Sequence, residues 1–291
     1  MLHRVLLVIL ASGCAEGVLA PDNGGGDAAG MPDANPGSGS DGSMTTPPPG
    51  DAPPPQTTAK LLLTEVVVAP STGEFIEIAN PGGSPIDLSG YYLSDAGGYF
   101  RVPTGSPTVD STDFIVRFPA GAQIAAGGVV TVAIDTAASF TTAYGAAPSY
   151  SLATMTTVVS SGIPSLTNTG EIVVLFTWDG TSDTVRDVDL LLVGAPTAAN
   201  AIIDKSGVAV DGPDADATGT AYKSDARTIA AQATAPAAGK STKRTSQEGG
   251  FQTGSAGNGV TGADETSENT AQTWDTTYSA PTPGSVPAGL M

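Results

Sequence analysis

The chain has 291 residues with only 5% aromatic and 14% charged side chains, and Gly, Pro, Ser, Thr, Ala and Asp fill much of the rest, a balance of all-β extracellular modules and low-complexity linkers rather than of helical enzymes. Its net charge of −18, with no basic stripe interleaved with aromatics, repels phosphate backbones and excludes nucleic acid as a direct partner. The single histidine and single cysteine, His3 and Cys14, both precede residue 15, so the remainder can hold no Ser-His-Asp or Cys-His catalytic unit, no imidazole- or thiolate-ligated zinc and no disulfide within one chain.

Residues 1–14, MLHRVLLVILASGC, carry one positive charge at Arg4, an apolar run from Val5 to Ala11, and the small residues Ser12 and Gly13 before Cys14. This is the layout of a signal peptide. The Ala-Ser-Gly-Cys tetrad resembles a bacterial lipobox, which implies cleavage before Cys14 and acylation of its thiol; Ala11 stands where Leu is usual. The alternative is an ordinary cleaved signal ending near Ala15 or Ala20. The apolar run falls short of the ~20 residues of a spanning helix, so attachment would be through lipid, with the membrane as partner. Ala15 follows Cys14 in place of the Asp that retains such proteins at the inner membrane, which points to an outer-membrane or cell-surface location.

Residues 15–59 are almost entirely Gly, Pro, Ala, Asp, Ser, Thr and Asn, and include Pro47-Pro48-Pro49 and Pro53-Pro54-Pro55. They cannot bury a core. Glu16, Asp22, Asp27, Asp33, Asp41 and Asp51 have no basic residue among them, so mutual repulsion and polyproline stiffness extend this disordered segment into a tether.

From Lys60 the texture becomes β-branched and apolar runs between turn residues. Strands are expected over 61–68, 74–80, 90–94, 114–118, 129–134, 171–178 and 185–193, bounded by turn signals such as Asn80-Pro81-Gly82-Gly83 and Asp179-Gly180. Seven short strands with such punctuation predict an all-β, immunoglobulin-like β-sandwich over residues 60–288, preceded by the signal peptide and linker. Alternation places Ile76 and Ile78 inward, with Phe75 and Glu77 on the other face. In a hairpin about Ser71, Glu65 and Glu77 fall nearly opposite, and directly opposed like charges destabilise a sheet. Lys60, an arginine from another strand, a cation or a shared proton would have to offset them.

Glu65, Glu74-Phe75-Ile76-Glu77-Ile78, Asn80-Pro81-Gly82 and Ile86-Asp87-Leu88-Ser89-Gly90-Tyr91-Tyr92-Leu93-Ser94-Asp95 follow the opening pattern of bacterial lamin tail domains, which this stretch resembles. In physical terms Asn80-Pro81-Gly82 fixes a turn, since Pro sets φ, and Asp87 and Ser89 can cap local backbone. Segments 120–128 and 166–171 are similar to later loops of the family, and Lys243-Arg244, Ser267-Glu268-Asn269, Thr273-Trp274 and Thr282-Pro283-Gly284 to a closing segment; 136–165 and 195–240 are unmatched. The resemblance implies a sandwich used as an accessory, adhesive or organising module, often in exported proteins. The chromatin association of nuclear lamins does not transfer to an acidic chain with a lipobox.

Asp211, Asp214 and Asp216, in Asp-Gly-Pro-Asp-Ala-Asp with Asp204 and Asp225 nearby, can be read as a Ca²⁺ site, because hard oxygen ligands beside a Gly turn suit that ion, or as a solvated acidic loop. The spacing is not that of an EF-hand. Glu65 and Glu77 can also be read as a glycosidase pair, although no aromatic-lined cleft is evident. Lys240, Ser241, Lys243 and Ser246 read as a solvated loop rather than a Ser-Lys catalyst, and Trp178 and Trp274 as packing residues, with Trp274 the better placed of the two to bind a ligand. No catalytic residue or cofactor is assigned. The expected function is a non-catalytic, lipid-anchored module of adhesion, envelope organisation or protein assembly, with an envelope or extracellular protein or polysaccharide as partner. The alternatives are a calcium-dependent adhesion module and a carboxylate-based hydrolase of envelope polymers.

Overall fold

The computed structural model describes residues 60–194, 205–223, 233–247, 257–275 and 277–291; the expected signal, Cys14 and the expected tether lie outside them, as do Asp204 and Asp225. In chain order the strands are β1 (Leu62–Val67), β2 (Phe75–Ala79), β3 (Ile86–Asp87), β4 (Tyr91–Ser94), β5 (Phe114–Arg117), β6 (Gln123–Ile124), β7 (Val129–Ala133), β8 (Tyr150–Ser151), β9 (Thr156–Ser160), β10 (Gly170–Thr177), β11 (Arg186–Gly194), β12 (Ala209–Val210), β13 (Thr220–Ala221) and β14 (Thr242–Lys243), with helices α1 (Ala137–Tyr144) and α2 (Thr270–Thr273). All seven expected strands are present. No helix among the described residues is long and apolar enough to cross a membrane.

Two five-stranded sheets, ordered β14-β1-β2-β7-β8 and β11-β10-β4-β5-β9, form the immunoglobulin-like β-sandwich. Between them Ile76, Ile78, Val66 and Val132 of the first sheet meet Leu93, Val116, Val173 and Leu191 of the second, all buried. Neither outer face is simply wet. On the first sheet Phe75, with Val67 and Ala133, packs under α1 through Phe140 and Tyr144, edge to face at 5.5 and 5.3 Å between ring centres. On the second, Tyr92, Val174 and Phe176 lie beneath Tyr99 and Phe100 of a 3₁₀ turn and beneath Val210 and Tyr222 of the β12–β13 hairpin. Helix α1 begins at Thr136, whose hydroxyl accepts the Ser139 N–H at 3.0 Å, and ends at Gly145 at φ +77°.

Strand β1 does not keep strict period two. Leu61 and Leu63 face the core, and continued alternation would drive Glu65 into it. A bulge between Leu63 and Glu65 absorbs one residue, so Val66 and Val68 regain the core and Glu65 turns outward. Strand β11 has the mirror device. A register shift opposite Leu175 and Phe176 pairs Asp189 with core-facing Leu175 and Asp187 with outward-facing Phe176, with Val188 as the extra residue. One aspartate of β11 therefore enters each apolar layer.

Both charges are answered from the C-terminal part of the chain. Arg244, fully buried just beyond β14, donates from Nη2 to Asp189 at 2.6 and 2.8 Å, from Nη1 to Glu268 at 3.0 Å and from Nε to the Leu63 carbonyl at 2.7 Å, with its guanidinium 4.9 Å over the Trp274 ring. Asp189 also accepts the Leu63 N–H at 2.6 Å, so this pair ties the edge of one sheet to the edge of the other. Burial works against the Arg244 charge, but Asp189 and Glu268 hold the guanidinium above the ordinary arginine value. On the outer face, Lys205 donates to Asp187 at 2.6 Å and to the Tyr99 hydroxyl at 3.0 Å, and Tyr99 in turn donates to Asp187 at 2.7 Å.

The signals around the second strand act as expected. The Asn80 side chain accepts the Gly82 N–H at 2.9 Å and donates to the Ser84 and Ala125 carbonyls, and Asp87 accepts the Ser89 N–H at 2.8 Å. Two expectations are corrected. Residues 240–246 are no solvated loop, since they contain β14 and bury Ser241, Thr242 and Arg244 completely. Trp274 is the packing residue expected, but at 2% exposure beneath Arg244 it is not the better placed of the two tryptophans to bind a ligand.

Candidate metal centre

Three residues offer carboxylate oxygens that all lie within 4.8 Å of one another: Asp183, Asp211 and Asp214. Two of them belong to the loop between β12 and β13 singled out from sequence. The third, Asp183, ends the turn between β10 and β11 and was not foreseen, and Asp216 is outside the trio. The turn holds Asp183 rigidly: Asp179 accepts the N–H groups of Thr181 and Ser182 at 2.9 and 2.8 Å, and the Ser182 carbonyl accepts the Trp178 indole N–H at 2.7 Å. The hairpin is fastened beneath by Tyr222, whose hydroxyl accepts the Val185 N–H at 2.9 Å and donates to the Phe100 carbonyl at 2.8 Å.

Loop and turn meet backbone to backbone. Asp183 Oδ1 accepts the Gly212 N–H at 2.7 Å, and a Cβ on Gly212 would stand 2.9 Å from the Ser182 carbonyl oxygen and 3.0 Å from Asp183, so only glycine permits the approach. Asp183 is 1% exposed, and its second oxygen, Oδ2, has no hydrogen-bond partner. Oδ2 of Asp214 and Oδ2 of Asp216 are likewise enclosed without partners, while their Oδ1 atoms accept the Asp216 and Thr218 N–H groups at 3.0 and 2.7 Å. Asp211 lies at the open side, its pKa raised by partial desolvation and then by the carboxylates of Asp183, Asp214 and Asp216. Asp211, Gly212 and Pro213 also form one wall of a shallow depression flanked by Tyr92, Trp178 and Arg117.

Glu65 and Glu77 are paired across β1 and β2 as the sequence suggested. What offsets them is not Lys60, which pairs with Glu265 at 3.6 Å, but Lys243 of β14, 3.5 Å from Glu65. The C-terminal segment adds backbone donors: Thr282 N–H to Glu65 at 3.0 Å and Gly284 N–H to Glu77 at 2.6 Å, with the Thr64 hydroxyl on the other Glu77 oxygen at 2.8 Å. Burial, opposed by these donors and reinforced by Glu65, raises the Glu77 pKa. Both carboxylates are fully buried, so water and polymer have no path to an acid-base pair here.

Other carboxyls are proton-holding by burial. Glu74 is pushed up to about 7 and Glu171 to about 8, chiefly by desolvation, from an ordinary 4.5; desolvation, then Glu171, raises Asp95 well above its usual value. Between 4.5 and about 8 the folded chain thus retains protons that the unfolded chain has released, so stability falls as pH rises through that window. Thermal unfolding is expected at a higher temperature at pH 5 than at pH 8, with a shallower slope in Glu171→Gln. A melting temperature that climbs from pH 5 to 8 would contradict this role of the buried carboxyls.

The class this architecture defines is an immunoglobulin-like β-sandwich whose C-terminal segments dock onto it through buried ion pairs. Residues 54–189 match the family model of the Lamin Tail Domain. Asp183, Asp187 and Asp189 lie inside the matched stretch, while Lys205, Asp211, Asp214 and Arg244 follow it. Among solved structures, the chain is similar to a DUF4876 family protein from Bacteroides thetaiotaomicron VPI-5482, at 12% identity and a TM-score of 0.40 over 79% of this chain and 75% of that one. No curated protein matches.

Proposed function

We propose that the chain is a non-catalytic binding or organising module of the cell envelope, carried on a lipid at Cys14 and held off the membrane by the acidic tether of residues 15–59. The observation that carries the non-catalytic reading is the closure of Glu65 and Glu77, the one facing pair of glutamates on neighbouring strands among the described residues, by Lys243, Thr282 and Gly284. An acid-base pair needs open carboxylates with a substrate between them. These two instead fasten the C-terminal segment across the first sheet. The anchor is supported by the apolar run and Ala-Ser-Gly-Cys tetrad directly ahead of an acidic, Gly- and Pro-rich segment. The partner in this reading is an envelope or extracellular protein or polysaccharide.

Expression of the full chain in a Gram-negative host, with intact mass and detergent partitioning for wild type and Cys14→Ala, tests the reading. The expected result is an acylated wild type beginning at Cys14 in the detergent phase and an aqueous variant. Identical aqueous behaviour of the two would replace the anchored module with a freely secreted one.

A further inference from the structure

The depression beside Trp178, the Asp95–Glu171 pair and the Asp183 cluster are the places where the fold leaves chemistry unspent, and the last carries the argument furthest. We propose that Asp183, Asp211 and Asp214 ligate a calcium ion that locks the β12–β13 loop onto the β10–β11 turn, with Asp216 supporting the charge of the site.

Three observations support it. First, the span fits. Ca²⁺ binds oxygen at ~2.3–2.6 Å, so two ligands on opposite sides of the ion stand ~4.6–5.2 Å apart, and the three carboxylate oxygens here lie within 4.8 Å of one another. Second, Asp183 is buried, spends one oxygen on Gly212 and leaves Oδ2 with no partner, while the enclosed Asp214 Oδ2 is in the same position. A carboxylate taken out of water without a counter-charge is strongly disfavoured, and such groups pair or coordinate metal. Third, no ion pair to Lys or Arg is made by Asp183, Asp211 or Asp214 among the described residues, in contrast to Asp187 and Asp189 of the same sheet edge. An oxygen-only donor set favours a hard cation over zinc or copper.

The arrangement gives the ion a structural task. Asp183 belongs to the sandwich and Asp211 and Asp214 to the appended hairpin, so occupancy joins the two and fixes the Asp211–Pro213 wall of the depression that Tyr92 and Trp178 also line. With Asp211 exposed and water completing the shell, the affinity falls among extracellular modules, at about 10⁻⁴–10⁻³ M.

The test uses the full chain stripped with EDTA, and its readouts do not involve the lipid, so it stands or falls apart from the anchor. Thermal unfolding is followed with CaCl₂ or MgCl₂ up to about 10 mM, well above that range, and Tb³⁺ luminescence sensitised by Trp178 is competed with Ca²⁺. Wild type is expected to melt about 3–10 °C higher with Ca²⁺, less with Mg²⁺, and to show Tb³⁺ emission that Ca²⁺ displaces. Asp183→Asn, which keeps the acceptor for Gly212, and Asp211→Asn, at an exposed position, each lose both signals while matching the wild-type circular dichroism in EDTA. No shift and no Tb³⁺ emission in wild type would leave the trio as carboxyls sharing protons and end the proposal. So would a shift retained in both variants, which would assign the ion to other acids.

Discussion

Arg244→Met is expected to lower the stability of the domain by about 3–5 kcal/mol, the scale on which breaking a buried ion pair from one side acts. The substitution keeps much of the apolar volume under Trp274 but removes the counter-charge from two enclosed carboxylates, Asp189 and Glu268. Asp189 would retain the N–H groups of Leu63 and Leu190, at 2.6 and 2.8 Å, but no cation, and the Leu63 carbonyl would lose its donor. Equilibrium unfolding in urea measures the loss. The double variant Arg244→Met, Asp189→Asn should recover part of it, because the acceptor for Leu63 remains while the orphan charge is gone. A loss below about 1 kcal/mol in the single variant, the level of an exposed pair, would show that the sheets are held together without this link.

The second large effect is expected at Lys205. Lys205→Met withdraws the ammonium that Asp187 and Tyr99 share beneath the outer layer, and a loss of about 3 kcal/mol or more follows from placing that carboxylate in an apolar layer without its cation. Tyr99→Phe removes one hydroxyl from the same cluster and should cost only about 1–2 kcal/mol. The two variants therefore separate charge from hydrogen bonding at one site. Equal losses in both would mean that the tyrosine hydroxyl, rather than the ion pair, organises the cluster. Salt should rescue neither, since screening acts on exposed charges.

The seven expected strands were legible because each carries its own signal: β-branched and apolar residues in short runs, bounded by turns whose chemistry is local. The opposition of Glu65 and Glu77 was legible for the same reason, since a short connection about Ser71 sets the register. The features that escaped are those in which the decisive partner is remote. Asp183 looks like the end of an ordinary Asp-Gly turn, and nothing in linear spacing ties it to Asp211; only the fold-over of the β12–β13 hairpin brings them together. Arg244 stood in a polar stretch where arginines are ordinarily solvated, and the partners that receive it when buried, the Leu63 carbonyl and Asp189, are remote in sequence. The bulges in β1 and β11 left no mark beyond a charged residue out of phase. Helix α1 is Ala- and Thr-rich with only Phe140 and Tyr144 to show a period, too little to distinguish it from a loop. Strand β9 is a largely exposed edge whose pattern has no apolar face.

The bond from Arg244 to the Leu63 carbonyl joins positions 181 residues apart. A ribosome delivers β1 first and the guanidinium that bonds it 181 residues later. Until residue 244 has been released, Asp189 sits in a half-built layer with no counter-ion, and long-range pairing of this kind also makes folding slow. Prematurely terminated copies that contain every strand of both sheets except β14 would leave Asp189 without that cation and are expected to be less stable and more open to proteases than the full chain. The fold thus ties the stability of its interior to an arginine that is synthesised after both of the strands it joins.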